Sequence, residues 1–515
     1  MGPLRVRTLR RAAQIFFLLL FLWLLLRTRY GGSDVLAYPT DWFFRLDPLA
    51  ALSTALSAHA LPDGFLWAVA LLGLTALFGR FFCAWVCPLG TLCHAVGTAG
   101  RRLNPARRPD VSTGSQRVKY YLLVFLLAAS VYSVQPAGLM DPLSLLTRSL
   151  TASVFPALDR AIRAVLEFLT LLGLGSMAAP IARALDRTIL LHPVPAYHQA
   201  FLFGLLFLLV LGLSLYRHRF WCRVLCPLGA LLGMVARLSP VRLRRREDCN
   251  SCGVCSWNCA GAADPHLRDG WKQGECYLCW NCVDGCPTGK ASFGFGGARP
   301  ARMEEAGRAR ERRRFVAAAA GGIALVPLLR AGENPGRPGP GRIRPPGSLP
   351  EPEFLARCIR CGACMKVCPT NAIHPALLEA GVEGLWTPVL DMNRGYCEFT
   401  CTLCGQVCPT GAIRRLPLEV KQKTPIGLAV FQRSRCFPWA MDRNCVVCEE
   451  HCPTPVKAIF LREETVTRRD GTRIVLSRPY VDPDLCIGCG NCQNHCPIVG
   501  EPAVVVLPPG SVLRG

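Results

Sequence analysis

The chain has no Cys-x-x-Cys-His for covalent haem, no dinucleotide or phosphate-binding glycine loop, and no nucleophile triad signature. Those absences remove c-type haem, nucleotide-dependent and acyl-transfer chemistry from the expected activities. Acidic residues are scarce as well: 35 Asp and Glu face 59 Lys and Arg in 515 residues, a formal charge of +24. Such an excess suits nucleic acid, but the basic residues sit beside apolar segments. They collect at Arg5, Arg7, Arg10 and Arg11, at Arg101, Arg102, Arg107 and Arg108, and at Arg242 and 244–246. This is how Lys and Arg distribute on the cytoplasmic side of a membrane, so no nucleic-acid partner is expected. What the chain has in abundance is apolar surface and cysteine: 51% hydrophobic residues, a mean hydropathy of +0.28, and 29 cysteines.

Residues 1–246 read as a polytopic membrane domain. Ala12–Leu26 is an almost unbroken apolar run behind four arginines, too long for a signal peptide core and without a cleavage site. Gly64–Phe82, Tyr120–Val134 and Ala200–Tyr216 are further candidate spans, and Ala161–Leu185 reads as an interfacial helix or a hairpin. An internal repeat orders them. LDPLAALSTAL (Leu46–Leu56) recurs as MDPLSLLTRSL (Met140–Leu150), and GRFFCAWVCPLG (Gly79–Gly90) recurs as HRFWCRVLCPLG (His218–Gly229). Each unit is an outward helix, a DPL turn, a return helix and a Cys-x-x-x-Cys-Pro exit, so both exits fall on the N-terminal side.

Cys83/Cys87 and Cys222/Cys226 are i, i+4 pairs that share a helix face, with Pro88 or Pro227 ending or kinking that helix. Two readings stand side by side: small buried hydrophobes, or redox or metal-binding thiols gathered across the repeat. Cys93 has no counterpart in the second unit and reads as structural. His94, His192, His198 and His218 lie near segment ends and read as polar trim.

Twenty-four cysteines form six groups of four, all after Asp248. Their short, regular spacing is a metal-cluster signature and excludes a disulfide framework. In residues 247–300, Cys249, Cys252, Cys255, Cys259 and Cys276, Cys279, Cys282, Cys286 both read C-x2-C-x2-C-x3-C. In that two-cluster [4Fe–4S] pattern the fourth cysteine ligates the other cluster. The expected sets are therefore Cys249, Cys252, Cys255 with Cys286, and Cys276, Cys279, Cys282 with Cys259. Zinc more often takes two cysteine pairs with a longer gap.

Residues 353–515 carry four more groups: Cys358, Cys361, Cys364, Cys368; Cys397, Cys401, Cys404, Cys408; Cys436, Cys445, Cys448, Cys452; and Cys486, Cys489, Cys492, Cys496. All end in Cys-Pro, and the second and third open with widened gaps. Six [4Fe–4S] clusters are the expected cofactors, with these 24 cysteines as ligands. Val466–Leu476 carries a hairpin signal with Asp470-Gly471 at its turn.

Between the two modules, residues 301–352 form a junction. Glu311 to Val316 (ERRRFV), followed by weakly apolar Ala and Gly, resembles a twin-arginine export signal, which addresses folded cargo. The apolar part, about sixteen residues, is short for a span. Ala331–Pro352 is proline-rich and reads as a semi-extended linker.

The paired Cys-x-x-x-Cys-Pro exits with the two-cluster module resemble the NapH-like membrane quinol dehydrogenases of periplasmic nitrate reduction. The twin-arginine stretch with four clusters resembles their NapG-like periplasmic ferredoxin-type partners, and similar pairs serve methylamine utilisation. The chain thus looks like a fusion of the two. The sixteen-cysteine region also resembles four-cluster subunits of molybdenum oxidoreductases. That resemblance implies that the first group pairs with the fourth and the second with the third, so that Cys496 completes the Cys358 set and Cys452 the Cys397 set.

The expected fold is a membrane α-helical domain of about four core helices in a two-unit repeat, plus two bacterial-ferredoxin-like α+β modules. The expected location is the bacterial inner membrane, with residues 247–300 cytoplasmic and 353–515 periplasmic. The expected function is a membrane-bound iron–sulfur electron-transfer protein that oxidises quinol. Its partners would be lipid, the quinone pool, and a periplasmic reductase or small electron carrier. A maturation or metal-reducing factor for a respiratory metalloenzyme is the alternative.

Overall fold

A computed structural model describes residues 6–36, 38, 41–62, 64–103, 114–188, 194–246, 248–266, 271–296, 305–330, 342–468 and 471–511. Asp470, His192, Arg107 and Arg108 lie outside the described residues. The chain builds a helical bundle with one cysteine module at each end. Along the chain come α1 (Val6–Arg27), α2 (Pro48–Ala58), α3 (Phe65–Phe78), α4 (Pro88–Leu103), α5 (Val118–Ser130), α6 (Pro142–Ser149), α7 (Phe155–Leu171), α8 (Gly175–Thr188), α9 (Ala200–Tyr216), α10 (Pro227–Val235) and α11 (Glu305–Arg330).

Five of these run between the ends, and side-chain contacts fix their direction. α1 starts with the Arg7 amide bonded to Asp284 of the two-cluster module, and Asp34 beyond its far end binds Thr402 of the four-cluster module. α3 returns, since Leu77 accepts from Ser239 and Gly79 abuts Leu278. α5 goes out from Lys119, bonded to Glu275, to Gln135, whose carbonyl accepts from Arg360. α9 returns from Gln199, bonded to the Pro375 carbonyl, to His218 beside His94.

The fifth is α11. It lies parallel to α5, with Glu311 on Arg117 at 2.6 Å at one end and Arg330 on the Tyr132 carbonyl and Glu383 at the other. Gly322 sits so close to the Phe125 carbonyl that a Cβ there would meet it at 2.2 Å. Small residues that let two backbones approach are how such helices pack. The stretch Arg312–Leu329 thus belongs to one helix of 26 residues, about 39 Å at 1.5 Å per residue, longer than its apolar part suggested.

Among the described residues only α1 is long and apolar enough to cross a membrane by itself; Pro48–Ala58, Phe65–Phe78, Ala200–Tyr216 and Pro227–Leu238 are shorter apolar helices. The bundle's outer face is nonetheless apolar, with Phe16, Leu66, Phe201 and Leu208 all more than half exposed. Residues 161–185 form a helical hairpin, α7 turning at Gly173 (φ +82°) into α8.

One sequence expectation is extended and another changes. Short helical turns, Phe82–Trp85 and Trp221–Leu225, stop before Pro88 and Pro227 as expected, and the same prolines also open α4 and α10. Proline at the first position forfeits no helical hydrogen bond, and the Cys87 and Cys226 sulfurs accept from the Gly90 and Gly229 amides as caps. The linker is also shorter than its composition suggested. Ile343 and Leu349 are buried in the four-cluster module, and Arg344 pairs with Glu351, so that module begins by residue 342.

The modules are small and sheet-poor. β1 (Val241–Arg245) pairs antiparallel with β2 (Ala291–Phe295) around the first. In the second, β3 (Ile373–Pro375) pairs with β4 (Pro388–Leu390), and β5 (Leu428–Phe431) with β8 (Val504–Leu507). β6 (Ile459–Thr467) and β7 (Arg473–Val481) form the hairpin expected around residue 470, with arms longer than its signal.

Candidate electron-transfer site

The two-cluster module presents two cavities lined by cysteine. One is bounded by Cys249, Cys252, Cys255 and Cys286, the other by Cys259, Cys276, Cys279 and Cys282. The second faces the bundle: the Leu278 carbonyl accepts from Trp85 at 3.0 Å, and Tyr277 lies beneath two guanidiniums. Those guanidiniums, Arg80 and Arg219, occupy the same place in the two repeat units. Each reaches across the repeat: Arg80 donates to the Cys222 carbonyl at 3.2 Å and Arg219 to the Cys83 carbonyl at 2.8 Å. Arg80 also donates to the Cys83 sulfur at 3.3 Å.

The repeat therefore gathers Cys83, Cys87, Cys222 and Cys226, all buried, between arginines and the module. Cys93, read from sequence as structural, is buried beside Cys222 in the same group. Among the described residues no three His, Cys, Asp or Glu side chains converge on a single-ion position. His94 and His218, one from each unit, stack edge-on with nitrogens 3.0 Å apart, which is more than polar trim.

Sequence reading missed Lys119, Glu275 and the two arginines. The signal was present for the arginines, since Arg80 and Arg219 each stand three residues before the first cysteine of their exits. Glu275 is almost fully buried; burial alone would raise its carboxyl, but Lys119 and Arg80 outweigh it and hold the carboxyl below its usual range.

At the other end the four-cluster module brings its cysteines together in a pattern that differs from the expected pairing. Cys358, Cys361 and Cys364 share a cavity with Cys408, not Cys496. Cys397, Cys401 and Cys404 have Cys368 as neighbour, not Cys452. Cys486, Cys489 and Cys492 take Cys452, and Cys436, Cys445 and Cys448 take Cys496. Consecutive groups pair because each Cys-Pro turn crosses over to its immediate sequence neighbour, as in the first module.

The order of the four sets can be traced. The Cys358 set lies against the bundle, where Arg148 of α6 feels the charges of Cys361 and Cys358. The Cys397 set joins the Cys486 set through the Cys397 amide, which donates to the Cys489 carbonyl at 2.7 Å. The Cys436 set lies furthest along, beside the β6–β7 hairpin.

The donor sets fit [4Fe–4S] clusters. Each cavity is walled by four thiols with apolar partners such as Phe354, Ile359 and Ile413. Backbone amides of Ala263, Ile413, Ala429 and Ala503 donate to the Cys259, Cys408, Cys486 and Cys496 sulfurs, the type of contact that tunes cluster potential. Burial pushes the thiols of Cys259, Cys361 and Cys448 up to about 12. They are therefore neutral before loading, and ligation must release their protons.

Comparison with known proteins agrees with this geometry. A family model described as a 4Fe-4S binding domain matches residues 60–105 and 199–246, the two repeat exits. A second, a 4Fe-4S dicluster domain, matches residues 357–412 and 443–499, the same consecutive pairs that the cavities define. The methylamine utilization ferredoxin-type protein MauM of Methylorubrum extorquens is 36% identical over 170 residues, 32% of this chain and 72% of that protein. The ferredoxin-type protein NapG of Escherichia coli is 36% identical over 202 residues, 38% of this chain and 85% of NapG. The chain belongs to the NapG and MauM family of ferredoxin-type proteins.

As a member of that family it is an iron–sulfur electron-transfer protein. The family likeness covers about a third of the chain. A further relative, the putative electron transport protein YccM of Escherichia coli, is 28% identical over 256 residues, 48% of this chain and 60% of YccM. No solved structure matches.

Proposed function

We propose that this ferredoxin-type protein crosses a bacterial inner membrane five times, takes electrons from quinol, and passes them through the four-cluster module to a periplasmic reductase or small carrier. The carrying observation is the direction of the five end-to-end helices. An odd number of passages separates the two cysteine modules, and the described members of the basic clusters (Arg7, Arg10, Arg11, Arg101, Arg102, Arg242 and Arg244 to Arg246) belong to segments at the two-cluster end. That is the charge asymmetry of a membrane protein. The exposed apolar girdle of Phe16, Leu66, Phe201 and Leu208 supports the same reading.

Six [4Fe–4S] clusters, when bound to the 24 cysteines, would supply one-electron steps. The residues order those steps: the Cys358 set faces the bundle, and the Cys436 set lies at the outer end beside the exposed hairpin. In this reading α11 stays as an anchor after export of the module that follows it, since it packs along the whole of α5. Arg312, Arg313 and Arg314 remain exposed at its start, available to a twin-arginine receptor.

The reading is tested with purified protein and excess menaquinol or ubiquinol, following cluster reduction by EPR. Reduction of the centres in the four-cluster module is expected; centres that remain oxidised overturn it. The maturation alternative has one supporting observation, the gathered Cys83, Cys87, Cys222 and Cys226 thiols. It predicts metal binding by those thiols without quinol turnover.

A further inference from the structure

Beneath the four-cluster module the two DPL turns meet. Asp47 caps α2, its Oδ1 accepting from the Leu49 and Ala50 amides at 2.9 and 3.3 Å. Asp141 caps α6, its Oδ2 accepting from Ser144 at 2.7 Å. Both side chains are buried, at 0% and 1% exposure, and each turns its second oxygen away from its cap. Asp47 Oδ2 and Asp141 Oδ1 have no donor, and the two turns are joined by Gln135, whose Nε2 donates to Thr54 Oγ1 of α2 at 2.9 Å, so that the two carboxyl groups act on one another. Like charges this close and this buried force one to keep its proton.

The setting is polar far beyond the needs of two helix caps. Gln135 Oε1, Ser144 Oγ, Thr147 Oγ1 and Arg148 Nε are buried nearby in sequence and equally without partners. Each such group costs about 1–3 kcal/mol when left unpaired, so their recurrence along this short stretch marks a polar setting inside the bundle. Arg148 links the pair to the electron route: it interacts with Asp141 on one side and with Cys361 and Cys358 on the other. The Gly138 and Ile359 backbones close the contact, leaving no room there for a Cβ.

Resting on the quinol reading above, we propose that Asp47 and Asp141 are the proton-accepting pair of quinol oxidation, holding one shared proton at rest. Oxidation of a quinol to a quinone breaks two O–H bonds and releases two electrons and two protons. Iron–sulfur centres, when bound to the Cys358, Cys361, Cys364 and Cys408 set, would supply the one-electron acceptor for each electron. The half-protonated pair takes each proton in turn, becomes fully protonated, and returns it to solvent on the side of the four-cluster module.

Asp47→Asn and Asp141→Asn test this, because asparagine caps a helix as well as aspartate but cannot share the proton. Each variant should slow quinol-driven cluster reduction about a hundredfold or more, as loss of a general base does, while dithionite reduces the same centres as in the wild type. Independently of activity, the oxidised wild type should show a protonated-carboxyl infrared band that shifts in D2O and is lost in the double variant. Variants that oxidise quinol at the wild-type rate, or a double variant with an unchanged carboxyl spectrum, overturn the assignment. If the wild type itself leaves its centres oxidised, the quinol reading fails, and the proton-accepting role fails with it. If the wild type reacts and both variants react as fast, only the carboxyl assignment fails.

Discussion

The two ends of the bundle hold their cysteine modules by opposite means. At the two-cluster end the contact is ionic: buried Glu275 is held by Lys119, with Arg80 at 3.7 Å and the Tyr120 hydroxyl at 2.8 Å. At the four-cluster end buried Arg148 and Arg360 donate to backbone carbonyls of Arg360, Leu139, Gln135 and Glu383, and Arg148 stacks on Trp386 at 4.5 Å. The first module follows the bundle directly through β1, so a few charged contacts suffice to orient it. The second arrives after α11 and a linker. It is docked instead mainly by guanidiniums that donate to neutral backbone carbonyls and by close backbone approach, with Arg330 on buried Glu383 as an added ion pair.

This contrast can be broken from either side. The largest effect should come from the ligand sets. Cys408→Ser, which completes the set nearest the bundle, should cut quinol-driven reduction of the whole four-cluster module at least about a hundredfold. Cys496→Ser, at the outer set, should leave the other three sets reducible; EPR distinguishes the two, and exchanged effects, with Cys496→Ser the more damaging, would restore the first-with-fourth pairing.

Next comes the ionic end. Lys119→Met leaves Glu275 with only the more distant Arg80 as a cation and should cost about 3–5 kcal/mol in thermal or denaturant unfolding. Adding Glu275→Gln should recover much of that loss, a coupling that a double-mutant cycle reads directly. Gly322→Val should push α11 off α5 at about 1–3 kcal/mol and loosen the four-cluster module without touching a ligand. Arg117→Ala removes an exposed pair with Glu311 and should change stability by less than about 1 kcal/mol.

Local patterns were legible in the sequence and long-range partners were not. The Ala200–Tyr216 helix, the hairpin near residue 470 and the membership of the six cysteine groups follow from hydropathy, turn chemistry and spacing, all of which are local. The pairing of Cys408 with the Cys358 set depends on which turn crosses to which cavity, and identical Cys-Pro endings carry no label for that. Pro88 and Pro227 were read in part for a related reason: proline marks a helix boundary, and here the chain is helical on both sides of it. The Asp47–Asp141 contact was half visible, because the DPL repeat announced two equivalent turns but not that they face each other. Glu275, immediately before Cys276, carries no local mark of burial, since its partner Lys119 lies 156 residues away.

The central claim is that one chain places its two cysteine modules on opposite faces of a membrane. Protease sites inserted at Gly471, in the β6–β7 turn, and at Gly289, in the exposed turn of the two-cluster module, test it in sealed vesicles. The site at 471 should be cut only in right-side-out vesicles and the site at 289 only in inside-out ones. Cleavage of both sites from the same side would contradict the account.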